Sequence, residues 1–180
     1  MSFRAVRPAP GEFAPFYASY VARVPEGDVL ETLVRQGAET AARLGRLDAR
    51  QELHRYAADK WSVRQVVGHL SDAERVFAYR MLRFSRGDAT PLPGFDENLF
   101  AAAAPHERSA LAELVVELGA LRRSTVALLA QLDEVAWGRV GEANGRLVSV
   151  RALAWIVAGH ELHHLAVLAE RYGLGAGPQV

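Results

Sequence analysis

The stretch Ser149-Val150-Arg151-Ala152-Leu153-Ala154-Trp155-Ile156-Val157-Ala158-Gly159-His160-Glu161-Leu162-His163-His164 decides the fold class. It holds no proline, and Val150, Leu153, Val157 and, beyond it, Leu168 form a stripe at helical spacing. Ser149 is placed to cap the start of this helix, which runs on to Tyr172 before Gly173. Residues four apart on a helix are rotated by about 40° and separated by roughly 6 Å along the axis. The side chains of His160 and His164 therefore converge. Both lie within the apolar stripe and point inward, whereas His163 falls at its edge.

The same period recurs three times upstream. From Gly27 to about Leu47, Val29, Leu30, Leu33, Val34, Ala38, Ala41 and Leu44 mark a first amphipathic helix. Ser62 caps a second, whose stripe runs through Val63, Val66, Val67, Leu70, Ala73, Phe77 and Met81 to a stop at Gly87-Asp88. A third extends from about Ser109 to Leu132. Strand-like alternation is nearly absent and no repeat is evident, so the chain reads as an all-α four-helix bundle. Pro8, Pro10, Pro15 and Pro25 are too many for an uninterrupted helix in residues 1–25, while Phe13, Phe16, Tyr17, Tyr20 and Val21 make that segment an arm or short helix packed onto the body. Ala89 to Pro105 is a long connection between helices 2 and 3, with one helical turn around Asp96 to Ala104. Gly138, Gly141, Asn144 and Gly145 mark a turn-rich link, and residues 1–180 form a single domain.

Composition narrows the function. Lys and Arg number 21 and so do Asp and Glu, so no long-range field attracts nucleic acid or an anionic membrane. With no cysteine, disulfides, thiolate ligands and a cysteine nucleophile are excluded, and any metal must be held by nitrogen and oxygen. No segment has the form of a signal peptide, and none approaches roughly 20 uninterrupted apolar residues. The expected location is the cytoplasm.

Two inward histidines one turn apart suit a divalent metal. The competing reading makes both of them core histidines, each needing its own polar partner, because an unsatisfied buried polar group costs about 1–3 kcal/mol. A third ligand must come from His54, His69 or His106. His54 and His106 fall in loops, where exposure is usual, whereas His69 lies on the flank of the second helix's stripe and faces a neighbouring helix. Alone His69 reads as structural, but opposite an inward pair it is the favoured third ligand beside His160 and His164. The same residues match H-E-x-x-H, but Val167 and Glu170 stand where the metzincin extension needs Gly and His. With no strand-rich lobe to hold a peptide, the protease reading is set aside.

Lys60-Trp61-Ser62-Val63-Arg64-Gln65-Val66-Val67-Gly68-His69-Leu70, with Asp72, Glu74-Arg75 and Phe77-Ala78-Tyr79-Arg80, resembles the second helix of the DinB/YfiT-like superfamily. Pro93-Gly94-Phe95-Asp96-Glu97 is similar to its central loop, and Ser149 to Leu153 with Gly159 to His164 to its last helix. Tyr17 to Asp28 resembles the lead-in of one subgroup. The resemblance implies an up-down-down-up topology, a homodimer, and a zinc or nickel ion on His69, His160 and His164. It also implies thiol-dependent S-transfer with bacillithiol, mycothiol or glutathione, or metal-dependent hydrolysis. Glu97 departs from the Gln of that subgroup.

Three functions stay open. In the first, a metal lowers the pKa of a low-molecular-weight thiol, whose thiolate attacks a small electrophile. In the second, it activates water for hydrolysis. In the third, the bundle is a non-enzymatic dimer with structural metal. Glu161, about 100° round from His160, is the candidate base or supporting residue, against a reading as a solvated or salt-bridged glutamate. Asp72 and Glu74 read as surface residues. Arg64, Arg80 and Arg151 are candidates for an acidic cosubstrate. Trp61, Trp137 and Trp155 read first as packing residues.

Overall fold

A computed structural model describes residues 2–174; Met1 and residues 175–180 of the expected domain lie outside it. Eight helices follow in chain order: α1 (Ala18–Arg23), α2 (Val29–Leu44), α3 (Ala49–Glu52), α4 (Val63–Ser85), α5 (Glu97–Ala103), α6 (Leu111–Ala130), α7 (Glu134–Gly138) and α8 (Val150–Glu170). The four long ones, α2, α4, α6 and α8, make the bundle. Their starts follow from local chemistry. Asp28, Ser62 and Ser149 accept hydrogen bonds from backbone N–H groups of the first turns, and Ser62 and Gln65 cap each other reciprocally.

Two apolar clusters mark the two ends of the bundle and fix its directions. One contains the start of α2 (Val29, Leu33), the second half of α4 (Phe77, Met81, Phe84), the end of α6 (Leu129) and the start of α8 (Val150 to Ala158). The other contains Leu44 from the end of α2, Val63 to Leu70 from the start of α4, Leu111 to Leu118 from the start of α6, and Leu168 from the end of α8. Helices α2 and α8 thus run one way and α4 and α6 the other. That is the up-down-down-up order. By length and composition α8 could cross a membrane, but most of it is buried inside the protein as the central helix of the bundle.

The turn-rich link is a β-hairpin, which the expectation of almost no strand missed. Strand β1 (Val140–Ala143) pairs antiparallel with β2 (Arg146–Ser149). Asn144 and Gly145 make the turn with φ of 53° and 68°, the double positive φ that favours Asn-Gly in two-residue hairpins. Leu92 bridges to Ala143, donating to the Glu142 carbonyl at 2.9 Å and accepting from Asn144 N–H at 2.9 Å. This ties the α4–α5 connection to the end of the bundle.

The N-terminal arm packs through three short 3-10 turns and α1. Phe13, Val21 and Val24 are buried, and α1 lies along α8. The Arg7 guanidinium stacks 4.6 Å from the Trp155 ring and donates to the Val24 carbonyl at 2.8 Å, while Glu12 accepts from Ser149 Oγ at 2.7 Å. Gly159 permits this approach: a Cβ there would stand 2.0 Å from the Tyr20 carbonyl oxygen.

Candidate metal centre

Between the two apolar clusters lies a polar layer, and one side of it is built from three imidazoles. His69 on α4 and His160 on α8 are 6% and 7% exposed, and His164 one turn further along is partly buried. His160 Nε2 lies 3.0 Å from His69 Nε2 and 3.0 Å from His164 Nε2. The ligand atoms of the three all fall within 4.8 Å of one another. The sequence-derived trio is brought together by the antiparallel packing of α4 on α8.

Hydrogen bonding alone does not satisfy this arrangement. A ring nitrogen offers either one N–H or one in-plane lone pair, so His160 Nε2 cannot serve both neighbours well. A single cation accepts all three lone pairs at once. Four-coordinate zinc with bonds of about 2.05 Å separates its nitrogen ligands by about 3.3 Å, close to the observed spacing. The residues fit a divalent ion. Burial holds the His69 pKa down to about 4 and the His164 pKa down to about 3, and it pushes His160 lower than its usual value, with the neighbouring histidines adding to the effect. All three are neutral at pH 7, the state a metal requires.

The trio opens on a cavity of about 300 Å³. Its walls are aromatic: Phe16, Tyr17 and Tyr20 from the arm, Trp61 before α4, Phe77 within α4, and Phe95 from the long connection. The Tyr20 ring centroid is 5.4 Å from that of His160, and the Trp61 ring 4.8 Å from that of His69. Trp61 thus lines the cavity, while Trp137 and Trp155 pack in the core as read from sequence. Arg80 and Glu97 are its charged lining residues.

Glu161 faces the other way. It is 2% exposed and does not line the cavity. Thr40 Oγ1 donates to its Oε1, and Arg122 Nη1 lies 2.7 Å from its Oε2. Arg122 also makes a two-pronged bond to Glu74, with Nε and Nη2 donating at 2.9 Å each. Burial opposes the Arg122 charge, but Glu161 and Glu74 outweigh it and raise its pKa. The salt-bridged reading of Glu161 therefore describes the structure, and direct contact with substrate does not. Glu74 is likewise buried, against its expected surface placement, because α6 supplies a guanidinium at its level.

The remaining candidates separate cleanly. His54 is exposed, as expected. His106 is not: it is 7% exposed, its Nε2 is 3.1 Å from Asp72 Oδ2, and its ring occupies the space that a Cβ on Gly68 would need. Arg64 is paired with Glu52 at 2.6 Å, and Arg151 Nε donates to Glu12 at 3.0 Å. Arg80 is buried, and its Nη2 donates to the Pro93 carbonyl at 2.9 Å. Sequence reasoning passed over Tyr20 as a cavity wall, since only the arm's path places it there, and it ranked a wall role for Trp61 behind packing.

No curated protein matches the chain by sequence. Solved structures share its fold, among them two from Bacillus subtilis. The first is YfiT from Bacillus subtilis, described as a probable metal-dependent hydrolase with an unusual four-helix bundle topology. It has a TM-score of 0.67 at 19% identity and covers 92% of this chain and 90% of its own. The second, the DinB-like protein YjoA of Bacillus subtilis, has a TM-score of 0.59 at 20% identity, covering 86% of this chain and 95% of its own. The model of the DinB superfamily matches residues 32–168, a span that holds His69, His160 and His164 and all but the outer ends of the four long helices, so this chain belongs to the DinB superfamily.

Proposed function

We propose that the chain is a divalent-metal-dependent enzyme of small molecules, with zinc or nickel held by His69, His160 and His164, and that its reaction is thiol-dependent S-transfer. The observation that carries this reading is the convergence of three neutral imidazole nitrogens at the floor of an aromatic cavity. The cation would supply the positive charge that lowers the pKa of a thiol reaching it, so that a thiolate is available at neutral pH. The donor set contains no carboxylate, which leaves that charge uncompensated and suited to an anionic incoming sulfur. The chain itself has no cysteine, so the sulfur comes from a low-molecular-weight cosubstrate. Tyr17, Tyr20, Phe77 and Trp61 shield the reacting atoms from water and offer flat faces to an electrophile.

Hydrolysis is the second reading. Glu97 places a carboxylate in the same cavity, where it could take a proton from water, and YfiT carries a hydrolase description. A structural metal is the least favoured, because such sites close with four protein ligands and the cluster among the described residues has three. Homodimer formation remains part of the proposal and is read by light scattering.

The test begins with elemental analysis of purified protein, which should give about one metal per chain, lost in His160→Ala and His164→Ala. Retention of metal by both variants overturns the ligation. A panel of electrophiles is then assayed with and without low-molecular-weight thiols. Turnover indifferent to thiol throughout the panel rejects S-transfer and leaves hydrolysis.

A further inference from the structure

Several arginine side chains are largely withdrawn from solvent, and those of Arg64, Arg122 and Arg151 are matched to carboxylates. Arg64 meets Glu52, Arg122 meets Glu74 and Glu161, and Arg151 meets Glu12. Arg80 does not. It is 3% exposed, forms no ion pair among the described residues, and its Nε is buried without a hydrogen-bond partner. Its protein contacts are the Pro93 carbonyl, the face of Phe77 at 5.8 Å and the neighbouring Tyr17 hydroxyl. A buried cation left uncompensated is costly, and here it lines the same cavity as the three histidines.

We propose that Arg80 is the anion-binding residue of this cavity, and that the molecule accepted there carries a carboxylate. A guanidinium presents donors in a planar fork that matches two carboxylate oxygens, and Nε is a donor that no group of the protein satisfies among the described residues. The cavity's other charged residue, Glu97, is exposed at the rim and makes no ion pair with Arg80 among the described residues. Position matters as well. His69, Ala73, Phe77 and Arg80 follow one face of α4, and eleven residues of helix place Arg80 about 16 Å along the axis from His69. Helical side chains lean toward the N-terminus, which shortens the span. The ligand is therefore elongated, with its carboxylate on Arg80, an apolar middle along Phe77 and Tyr17, and its reacting group several bonds away beside the histidines. This rests on the cavity being the reaction chamber inferred above, but not on which reaction runs there.

The experiment compares 4-phenylbutyrate with its neutral amide, 4-phenylbutyramide, by calorimetric titration of the protein, both metal-loaded and metal-free. Wild type should bind the acid about tenfold or more tightly than the amide, as a charge-assisted pair gives. Arg80→Gln should erase that preference and Arg80→Lys should keep part of it, with folding checked by circular dichroism. Metal-free wild type should keep the preference, which separates Arg80 from the cation as the carboxylate's partner and makes the outcome independent of metal content or turnover. Absent or equal binding of the acid in wild type overturns the proposal. So does a preference that survives in Arg80→Gln or vanishes in the metal-free wild type. If Arg80→Gln does not fold, arginine Nε–H resonances of the wild type decide: the acid should move one that the amide leaves in place, and an unmoved set overturns the proposal.

Discussion

His160 and Glu161 are neighbours on α8, both nearly sealed from solvent, yet their surroundings differ in kind. Glu161 looks toward α2 and α6, where Thr40 and Arg122 meet its oxygens in a closed network that also absorbs Glu74. His160 looks toward α4 and the arm, where its Nε2 meets two more imidazoles that cannot both be satisfied without a cation. One residue's step round a helix, about 100°, separates a polar layer whose charges are paired from one whose ring nitrogens are left unmatched and able to bind. Pairing of charge is what distinguishes structure from site here, since burial and polarity are shared by both.

Arg122→Met should break the contrast most severely. It leaves Glu74 and Glu161 buried without their shared cation, and the expected loss is about 3–5 kcal/mol in denaturant unfolding. A near-wild-type midpoint would show that the network contributes little. Gly159→Ala should cost less, about 1–3 kcal/mol, because its Cβ meets the Tyr20 carbonyl and pushes the arm off α8. Faster proteolysis of the arm is the accompanying sign. Thr40→Val removes one hydrogen bond to Glu161, a loss of about 1 kcal/mol, with metal content unchanged. His160→Ala sharpens the comparison from the other side. Metal-free variant and metal-free wild type should unfold within about 1 kcal/mol of each other, while the stabilisation that added metal gives the wild type through binding linkage disappears.

Much of the site is legible in the sequence because its geometry is local. His160 and His164 lie one turn apart, and their convergence needs only the helical period. Ser62 and Ser149 announce their helices by bonds spanning three residues. The hairpin was also announced, by Asn144-Gly145, but strands of four residues are too short for their alternation to stand out. His106 was misread for a different reason: its burial depends on Asp72 and Gly68, more than thirty residues earlier in the chain.

The amino-acid order by itself determined four long helices, the capped starts of two of them and an inward histidine pair, because each depends on contacts within a turn or two of the chain. Only the tertiary structure decided which polar residues were satisfied. Arg122 neutralises Glu74 and Glu161 across 48 and 39 residues, whereas Arg80 has no acid opposite it. Such pairings are set when helices dock, since a charge finds its partner by proximity in space and carries no mark of it in the local sequence.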